Sequence, residues 1–446
     1  MSLPAYADGV MSGIEWLGSL PRHWKVTRLK RVCKVFPSNI DKKSYEGDPP
    51  VHLCNYTDVY YNDRITADLP FMSATATEDQ IERFTLRAGD IIITKDSETA
   101  DDIAIPAYVP HDLPGVVCGY HLSMLRPLPG THGAFIKWLF DSKFVKASVQ
   151  VRANGLTRVG LGQYALDNLE LPFPPLSEQA AIAAFLDRET GKIDALVEEQ
   201  KRLIKLLKEK RQAVISHAVT KSLNPDAPMK DSGIEWLGQV PAHWKLKCLK
   251  YLGEAIIGLT YSPDEVTDEG NGVLVLRSSN VLNDKISLVD NVFVSAEIPN
   301  DLKTRCGDIL ICSRNGSRAL IGKNAVINAE HEGMTFGAFM TIFRSRYSLF
   351  LRWVFKSRLF EAQAGAFMSS TINQLTSTTL CSMEIALPPE VEQHAISAYL
   401  ERITSEIGGL IDEADKTVGL LAERRAALIS AAVTGKIDVR EIAAAE

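Results

Sequence analysis

The chain has 446 residues, 46% hydrophobic and 23% charged, with a net charge of −6, too long for one ordinary core and sufficient for roughly two to four domains. No apolar run approaches the ~18 residues that span a bilayer, and the opening MSLPAYADGV lacks the basic and apolar regions of a secretion signal, so the expected compartment is the cytoplasm. The acidic balance weighs against a chain that grips nucleic-acid phosphates unaided, although a local basic face or partner subunits can supply the cations.

Reading from the N-terminus, SGIEWLGSLPRHWK (12–25) returns as SGIEWLGQVPAHWK (232–245), eleven of fourteen positions identical at an offset of 220. RAGDIIIT (87–94) returns as RCGDILIC (305–312), and CGYHLSMLRP (118–127) as FGAFMTIFRS (336–345), both at 218. PPLSEQAAIAAFLDR (174–188) matches PPEVEQHAISAYLER (388–402), and KRQAVISHAVTKSL (210–223) matches RRAALISAAVTGKI (424–437), both at 214. Landmarks in constant order with so small a drift are a tandem duplication of a domain-sized unit, far longer than a solenoid repeat.

Each unit opens with a mixed part. GDIIIT and GDILIC predict a turn entering a buried strand, and HLSMLRP and FMTIFRS alternate as strands do. FIKWLFDSKFVKASV and LFLRWVFKSRLFEAQ carry the spacing of amphipathic helices. The repeated tryptophans Trp16, Trp24, Trp236 and Trp244 are expected to be packing residues that wedge each domain against a helix base.

A long helix closes each unit. Ile193, Leu196, Gln200, Leu203, Leu207, Lys210, Val214 and His217 alternate steps of three and four, as do Ile407, Leu410, Ala414, Thr417, Leu421, Arg424, Leu428 and Ala431. This reads as an a/d seam, widened by Val197, Ile204, Ile411 and Val418. Paired prolines and an early Glu178 or Glu392 mark each start, Gly435 stands where a C′ residue would end the second, and the prolines of NPDAPMKD make a linker after the first. Residues 192–221 carry eight basic and four acidic side chains, and 406–435 three and five, so the two helices are expected to pair with each other, antiparallel. Residues 190–220 would form a rod of ~46 Å. The expected fold class is α+β: two similar mixed α/β domains joined by two long antiparallel coiled-coil helices in a pseudo-twofold tandem repeat.

Chemistry is sparse. The seven cysteines (Cys33, Cys54, Cys118, Cys248, Cys306, Cys312 and Cys381) form no C-x-x-C and no zinc spacing with histidine, so reduced thiols and no metal are expected. There is no phosphate loop, no G-x-G-x-x-G and no N-P-P-[YF]. DEAD at 412–415 lies on the second helix and reads as a solvated face.

The tandem words SGIEWLG…P.HW, GDIIIT, PP.SEQ..I..FLD and K.KRQA.IS.AVT resemble the specificity subunit of type I restriction-modification enzymes, over essentially the whole chain. The resemblance implies target-recognition domains at 1–174 and 224–388, spacer helices at 175–223 and 389–437, and a tail at 438–446. Each domain would read one half of a bipartite, asymmetric target in double-stranded DNA. The helices would act as a ruler, ~46 Å matching about 13–14 base pairs, and would dock two methyltransferase (modification) subunits, which restriction subunits join. The chain itself would be noncatalytic and bind no cofactor, with S-adenosylmethionine, ATP and magnesium on the partners.

Base readout requires hydrogen-bonding side chains on loops that enter a groove. Three loops correspond between the units while their residues differ, which predicts different half-sites. In the first unit they offer Asn55, Tyr56 and Thr57, then Lys95 and Ser97, then Arg152, Thr157 and Arg158. In the second they offer Arg277, Ser278 and Asn280, then Arg314, Asn315, Ser317 and Arg318, then Ser370, Thr371 and Asn373. Arg314, Asn315 and Arg158 lead, since Arg and Asn make bidentate contacts to guanine and adenine. A self-contained endonuclease or methyltransferase, and a coiled-coil adaptor holding two non-nucleic-acid partners, are the competing readings.

Overall fold

The structure, a computed structural model, describes residues 4–14, 17–367 and 373–440. Its contacts gather into two units, Met1–Gln200 with Lys416–Glu446, and Lys201–Asp415. The long helices run Leu176–Lys221 and Glu390–Val433, so each unit owns the start of one and the end of the other.

At the centre of the first unit is an antiparallel sheet of strands 106–108, 91–94, 122–127 and 33–37, in that order. The second unit repeats the order with 324–326, 309–312, 340–344 and 254–257. The central strands Ile91–Thr94 and Ile309–Cys312 are buried throughout, which is why they read as unbroken apolar runs. Side chains of a strand alternate between faces: Ile91 and Ile93 enter the core shared with the helices, while Ile92 enters a core against a second sheet. Ile309, Ile311 and Leu310 divide in the same way. In that second sheet strand 50–54 lies parallel to 113–118, and 273–276 parallel to 335–336.

The repeated GD turn has an electrostatic cause. Asp90 is 1% exposed and accepts two parallel bonds from Arg126, at 2.9 and 2.7 Å. Asp308, 2% exposed, takes the same pair from Arg344 at the same two lengths. Each carboxylate also accepts the N–H three residues back, Arg87 or Arg305. A buried charge is tolerable when its lone pairs are met in this way.

The repeated fourteen-residue word supplies the second strand of a small hairpin and then an anchor. Gly9–Met11 pairs with Ser19–Pro21, and Met229–Asp231 with Gln239–Pro241, so the last three residues of the expected linker NPDAPMKD are a strand. Gly18 and Gly238 close the two turns at φ +70° and +62°, a backbone that favours glycine. After the hairpin, Trp24 Nε1 donates to Glu178 at 3.1 Å, His23 Nε2 lies 2.8 Å from its other oxygen, and the Tyr6 hydroxyl also donates to it. In the second unit Trp244 Nε1 donates to Glu392 at 3.0 Å and Ser222 Oγ at 3.2 Å, with His243 beside them. The glutamate sits in the first helical turn, where the dipole also favours a negative charge. Trp24 and Trp244 are 5% and 1% exposed, but Trp236 is 47% exposed and is no wedge; Trp16 lies outside the described residues. Strands Lys25–Arg28 and Lys245–Cys248 then pair with Glu170–Phe173 and Glu384–Leu387, which lead into the long helices.

Within each unit the two helix segments run antiparallel. Ile182–Leu186 share a core with Ile429–Val433, and Arg425 reaches Asp194 at 2.9 Å. Ile215–Val219 share a core with Ile396 and Leu400. The inward stripe, buried or half-buried, keeps Ile193, Gln200, Leu207, Ile407, Ala414 and Leu421 of the expected seam but otherwise departs from it. It follows Ile193, Val197, Gln200, Ile204, Leu207, Arg211, Ile215 and Ala218, and at an offset of 214 Ile407, Ile411, Ala414, Val418, Leu421, Arg425, Ile429 and Ala432. The supposed flanking residues Val197, Ile204, Ile411 and Val418 are therefore the seam, whereas Leu196, Leu203, Lys210, His217, Leu410 and Arg424 are exposed. Two successive steps of four, from 207 to 211 to 215, break a strict heptad and follow the 3.6-residue period of a straight helix. The serines of the repeated IS hold the domains on: Ser430 Oγ accepts the Lys143 N–H at 3.2 Å, and Ser216 Oγ that of Arg358 at 3.0 Å. Gly435, at φ +67°, ends the second helix with Lys436 N–H donating to Ala431 O at 2.8 Å, a Schellman closure.

Trp244→Phe keeps most of the ring packing but removes one donor from Glu392, and should cost about 1–3 kcal/mol in urea unfolding of the full chain. Burial pulls the Glu392 carboxyl upward, yet the bonds from His243, Trp244 and Ser222 outweigh it and hold it below the ordinary glutamate range. Its contribution is thus present above that range and is lost as pH falls through the depressed value. Unfolding midpoints followed downward from neutral pH should fall in the wild type and fall less steeply in Glu392→Gln.

Candidate nucleic-acid interface

In the first unit the three polar loops converge. Asn55 precedes the short helix Tyr56–Tyr60 and its N–H donates to Asp58 at 2.7 Å. The second and third loops pair as a two-residue ribbon, Ser97 opposite Val159 and Asp96 opposite Gly160. Tyr56 joins them through a hydrogen bond with Ser97, and burial raises its hydroxyl above the usual tyrosine range. Asp96 is the hub, with His121 Nδ1 at 2.7 Å on one oxygen and Arg158 Nη2 at 3.0 Å from the other. Lys95 Nζ is tied to Ser38 O at 2.8 Å and Arg152 Nη1 to Ser148 O at 2.6 Å, and Ser97 is buried. Thr57, Thr157 and Arg158 are exposed.

The second unit joins its loops through the backbone as well. Arg314 bridges Gln374, the Leu375 N–H donates to Ser313 O at 2.7 Å, and Asn373 Nδ2 donates to Gly316 O at 3.1 Å. Asn315 spans to the first loop, Nδ2 donating to Ser278 Oγ at 3.2 Å, while its Oδ1 accepts the Ser317 N–H at 2.9 Å. Arg277 is paired with Asp290 at 2.8 Å, and Arg318 Nη2 donates to Gly365 O at 3.2 Å. Asn280 is fully buried, its amide donating to the carbonyls of Ser287 and Asp290, so it braces the turn from inside. Ser370 and Thr371 lie outside the described residues.

At the repeat's offset of 218 the two units differ in chemistry at matching positions. Arg314 occupies the position of Asp96, and Phe339 that of His121. Where the first unit has a carboxylate–imidazole contact, the second has a guanidinium 5.1 Å from an aromatic centroid. Phe339 is 58% exposed, and among the described residues Arg314 has no carboxylate partner. One spot in a common frame thus accepts hydrogen bonds in one unit and donates them in the other. Asp96, His121 and Phe339 are not strong hydrogen-bond donors and so fall outside the predicted set, although the repeated words align Asp96 with Arg314 and His121 with Phe339. In base recognition a carboxylate accepts from cytosine N4, whereas arginine donates to guanine O6 and N7.

Each unit ties its first loop to a glycine by a backbone bond, but only the first unit needs the residue there to be glycine. Gly119 N–H donates to Cys54 O at 2.8 Å, and Gly337 N–H to Leu276 O at 3.0 Å. A Cβ on Gly119 would lie 2.6 Å from the Cys54 carbonyl oxygen, while one on Gly337 would meet only Val275 Cγ1 at 3.7 Å and Tyr261 at 4.0 Å.

Comparison with known proteins places this frame. Residues 21–206 match the type I restriction modification DNA specificity domain. The EcoKI specificity subunit of a type I restriction enzyme of Escherichia coli is 25% identical over 207 residues, 45% of this chain and 44% of that protein. A protein of Methanocaldococcus jannaschii named as the specificity subunit of the MjaX type I enzyme is 23% identical over 449 residues, 95% of this chain and 96% of its own length. A chain from a structure of the assembly and conformational transition of the type I R-M system superposes with a TM-score of 0.74 at 20% identity, covering 93% of this chain and 98% of that one.

The glycine contacts make an asymmetric test. Gly119→Ala should lower the thermal unfolding midpoint of the full chain by several degrees, an overpacking cost of about 1–3 kcal/mol, whereas Gly337→Ala should leave it nearly unchanged.

Proposed function

We propose that the chain is a specificity subunit of a type I restriction-modification system, and that each of its units reads one half of a bipartite DNA target. The exchange of Asp96–His121 for Arg314–Phe339 carries the proposal. A common frame sets both loop clusters at one depth, and opposite hydrogen-bonding character at the matching spot makes the two half-sites differ. Arg314, Asn315, Ser317 and Asn373 lead in the second unit, with Ser278 and Arg318 beside them; Arg158, Thr157 and Thr57 lead in the first. Arg158 would exchange part of its contact with Asp96 for a base edge or phosphate.

The long helices would set the unspecified gap and dock two methyltransferase subunits. Exposed leucines support that role: Leu196 (46%) recurs as Leu410 (51%), and Leu206 (52%) as Leu420 (56%). Two equivalent apolar faces fit two copies of one partner. Catalysis would then rest with the partners, methyl transfer from S-adenosylmethionine on the modification subunits and ATP- and magnesium-dependent cleavage on the restriction subunits. This chain would contribute position and sequence choice. Phosphate contacts supplied by those partners would offset its own net charge of −6.

Co-expression with a methyltransferase subunit, followed by mapping of N6-methyladenine in host DNA, should give a motif with two defined halves and a fixed gap. Arg314→Ala should weaken binding by about 1–3 kcal/mol and relax only one half. A continuous motif, or equal relaxation of both halves, would refute the assignment of one half per unit; a stable complex that binds no DNA would favour the adaptor reading.

A further inference from the structure

We propose that the second unit contains an anion site for a phosphate-bearing molecule, in the cavity between the end of the first long helix and the helix Arg358–Phe367. The cavity measures ≈ 800 Å³, within the range of sites that enclose a nucleotide-sized ligand. Five cations line it, Lys208, Arg211, Arg318, Lys323 and Lys356, against two carboxylates, Asp284 and Glu361. Buried Ile215, Phe355 and Phe360 form apolar wall, which strengthens electrostatic attraction by excluding water.

The contacts already made leave much of that charge unanswered. Arg211 reaches Asp284 at 2.7 Å through Nη2, but its buried Nε has no partner among the described residues. Lys356 stands 3.9 Å from the same carboxylate, its side chain 14% exposed. Burial holds its amine below the usual lysine range, with Arg211, Arg352 and Lys285 acting the same way against Asp284. Lys323 and Arg318 bond only to backbone carbonyls, of Ser278 at 3.3 Å and Gly365 at 3.2 Å. On the cavity wall Asn324, 5% exposed, is fixed by its amide on Phe355 O at 2.9 Å and Gly322 O at 3.0 Å. Its Oδ1 is buried and unpartnered, an acceptor suited to a ligand hydroxyl. Surplus donors for an anion and one open acceptor together fit a phosphate monoester that also carries a hydroxyl group.

The first unit lacks the arrangement at the equivalent contact. There Lys208 is replaced by Ala422 and Lys356 by Asp141, and Arg425 is met by Asp194, Asp63 and Asp141 at 2.9, 3.4 and 3.8 Å. Docking a domain on a helix therefore does not require an excess of cations, so the second unit's excess calls for another role.

Calorimetric titration of the full chain at low ionic strength tests the site, with ribose 5-phosphate and inorganic phosphate as probes. One saturable site is expected, weakened roughly tenfold by the loss of one charge-assisted contact in Lys208→Gln and in Lys356→Gln, and unchanged in Lys42→Gln on the exposed surface of the first unit. Lys208 is exposed on its helix, so its substitution leaves the fold intact even if that of Lys356 does not. An unrelated DNA duplex that displaces the sugar phosphate would place a backbone phosphodiester in the site and overturn the monoester assignment, whereas one that binds alongside it would support a free phosphorylated molecule. No saturable binding at millimolar probe, or binding unaffected by Lys208→Gln, would overturn the proposal without touching the reading of the half-sites.

Discussion

Both units depend on one carboxylate at the start of a long helix. Glu178 is 4% exposed and gathers Tyr6, His23 and Trp24; Glu392 gathers Ser222, His243 and Trp244. Burying a charge costs several kcal/mol unless its oxygens are met, so the glutamate, the His-Trp pair and the hairpin that aims them must be kept together. The end of the other helix closes over the same anchor in the first unit: a Cβ on Gly435 would lie 2.3 Å from the Pro21 ring and 3.4 Å from the Trp24 ring. One helix is thereby held at its beginning and the other at its end by the same few residues. Ser222 performs the closing function in the second unit at φ +71°, a strained backbone for serine that is offset by its bond to Glu392.

On this fixed frame the variable chemistry is confined to loops. The buried pairs Asp90–Arg126 and Asp308–Arg344 are nearly superposable in their bond lengths, and the central sheets share strand order. A few residues beyond those strands, the loops exchange an acceptor for a donor and an imidazole for a phenyl ring. Duplication followed by divergence of this kind leaves two like frames with unlike loops, because core packing penalises change and a solvated loop does not.

The same division governs the helix contacts. Arg211 and Arg425 are equivalent seam residues, yet one faces a cavity rich in cations and the other three aspartates. Outside the seam Leu196 and Leu206 recur as Leu410 and Leu420, all four exposed, and an apolar residue kept exposed in both copies of a duplication points to a surface with a partner.

The tandem layout, the buried strand after each GD turn, the long helices and their starts were legible in the sequence, since each is a local pattern written twice at a near-constant offset. The importance of Trp24 and Trp244 was legible for the same reason. What only the tertiary structure decided are matters of partner and direction. A stripe and its neighbour one residue away differ by about 100° around a helix, and whether Val197 or Leu196 faces inward depends on the segment packed against it. Trp236, which repeats in the sequence as faithfully as the buried anchor Trp244, is exposed because it sits in the hairpin turn and not behind it. The opposition of Asp96 and Arg314 across the two units, and the unanswered charge around Lys356, arise between residues far apart in the chain. No periodicity records them, because such contacts are made only when the sheet and the helices bring their loops together.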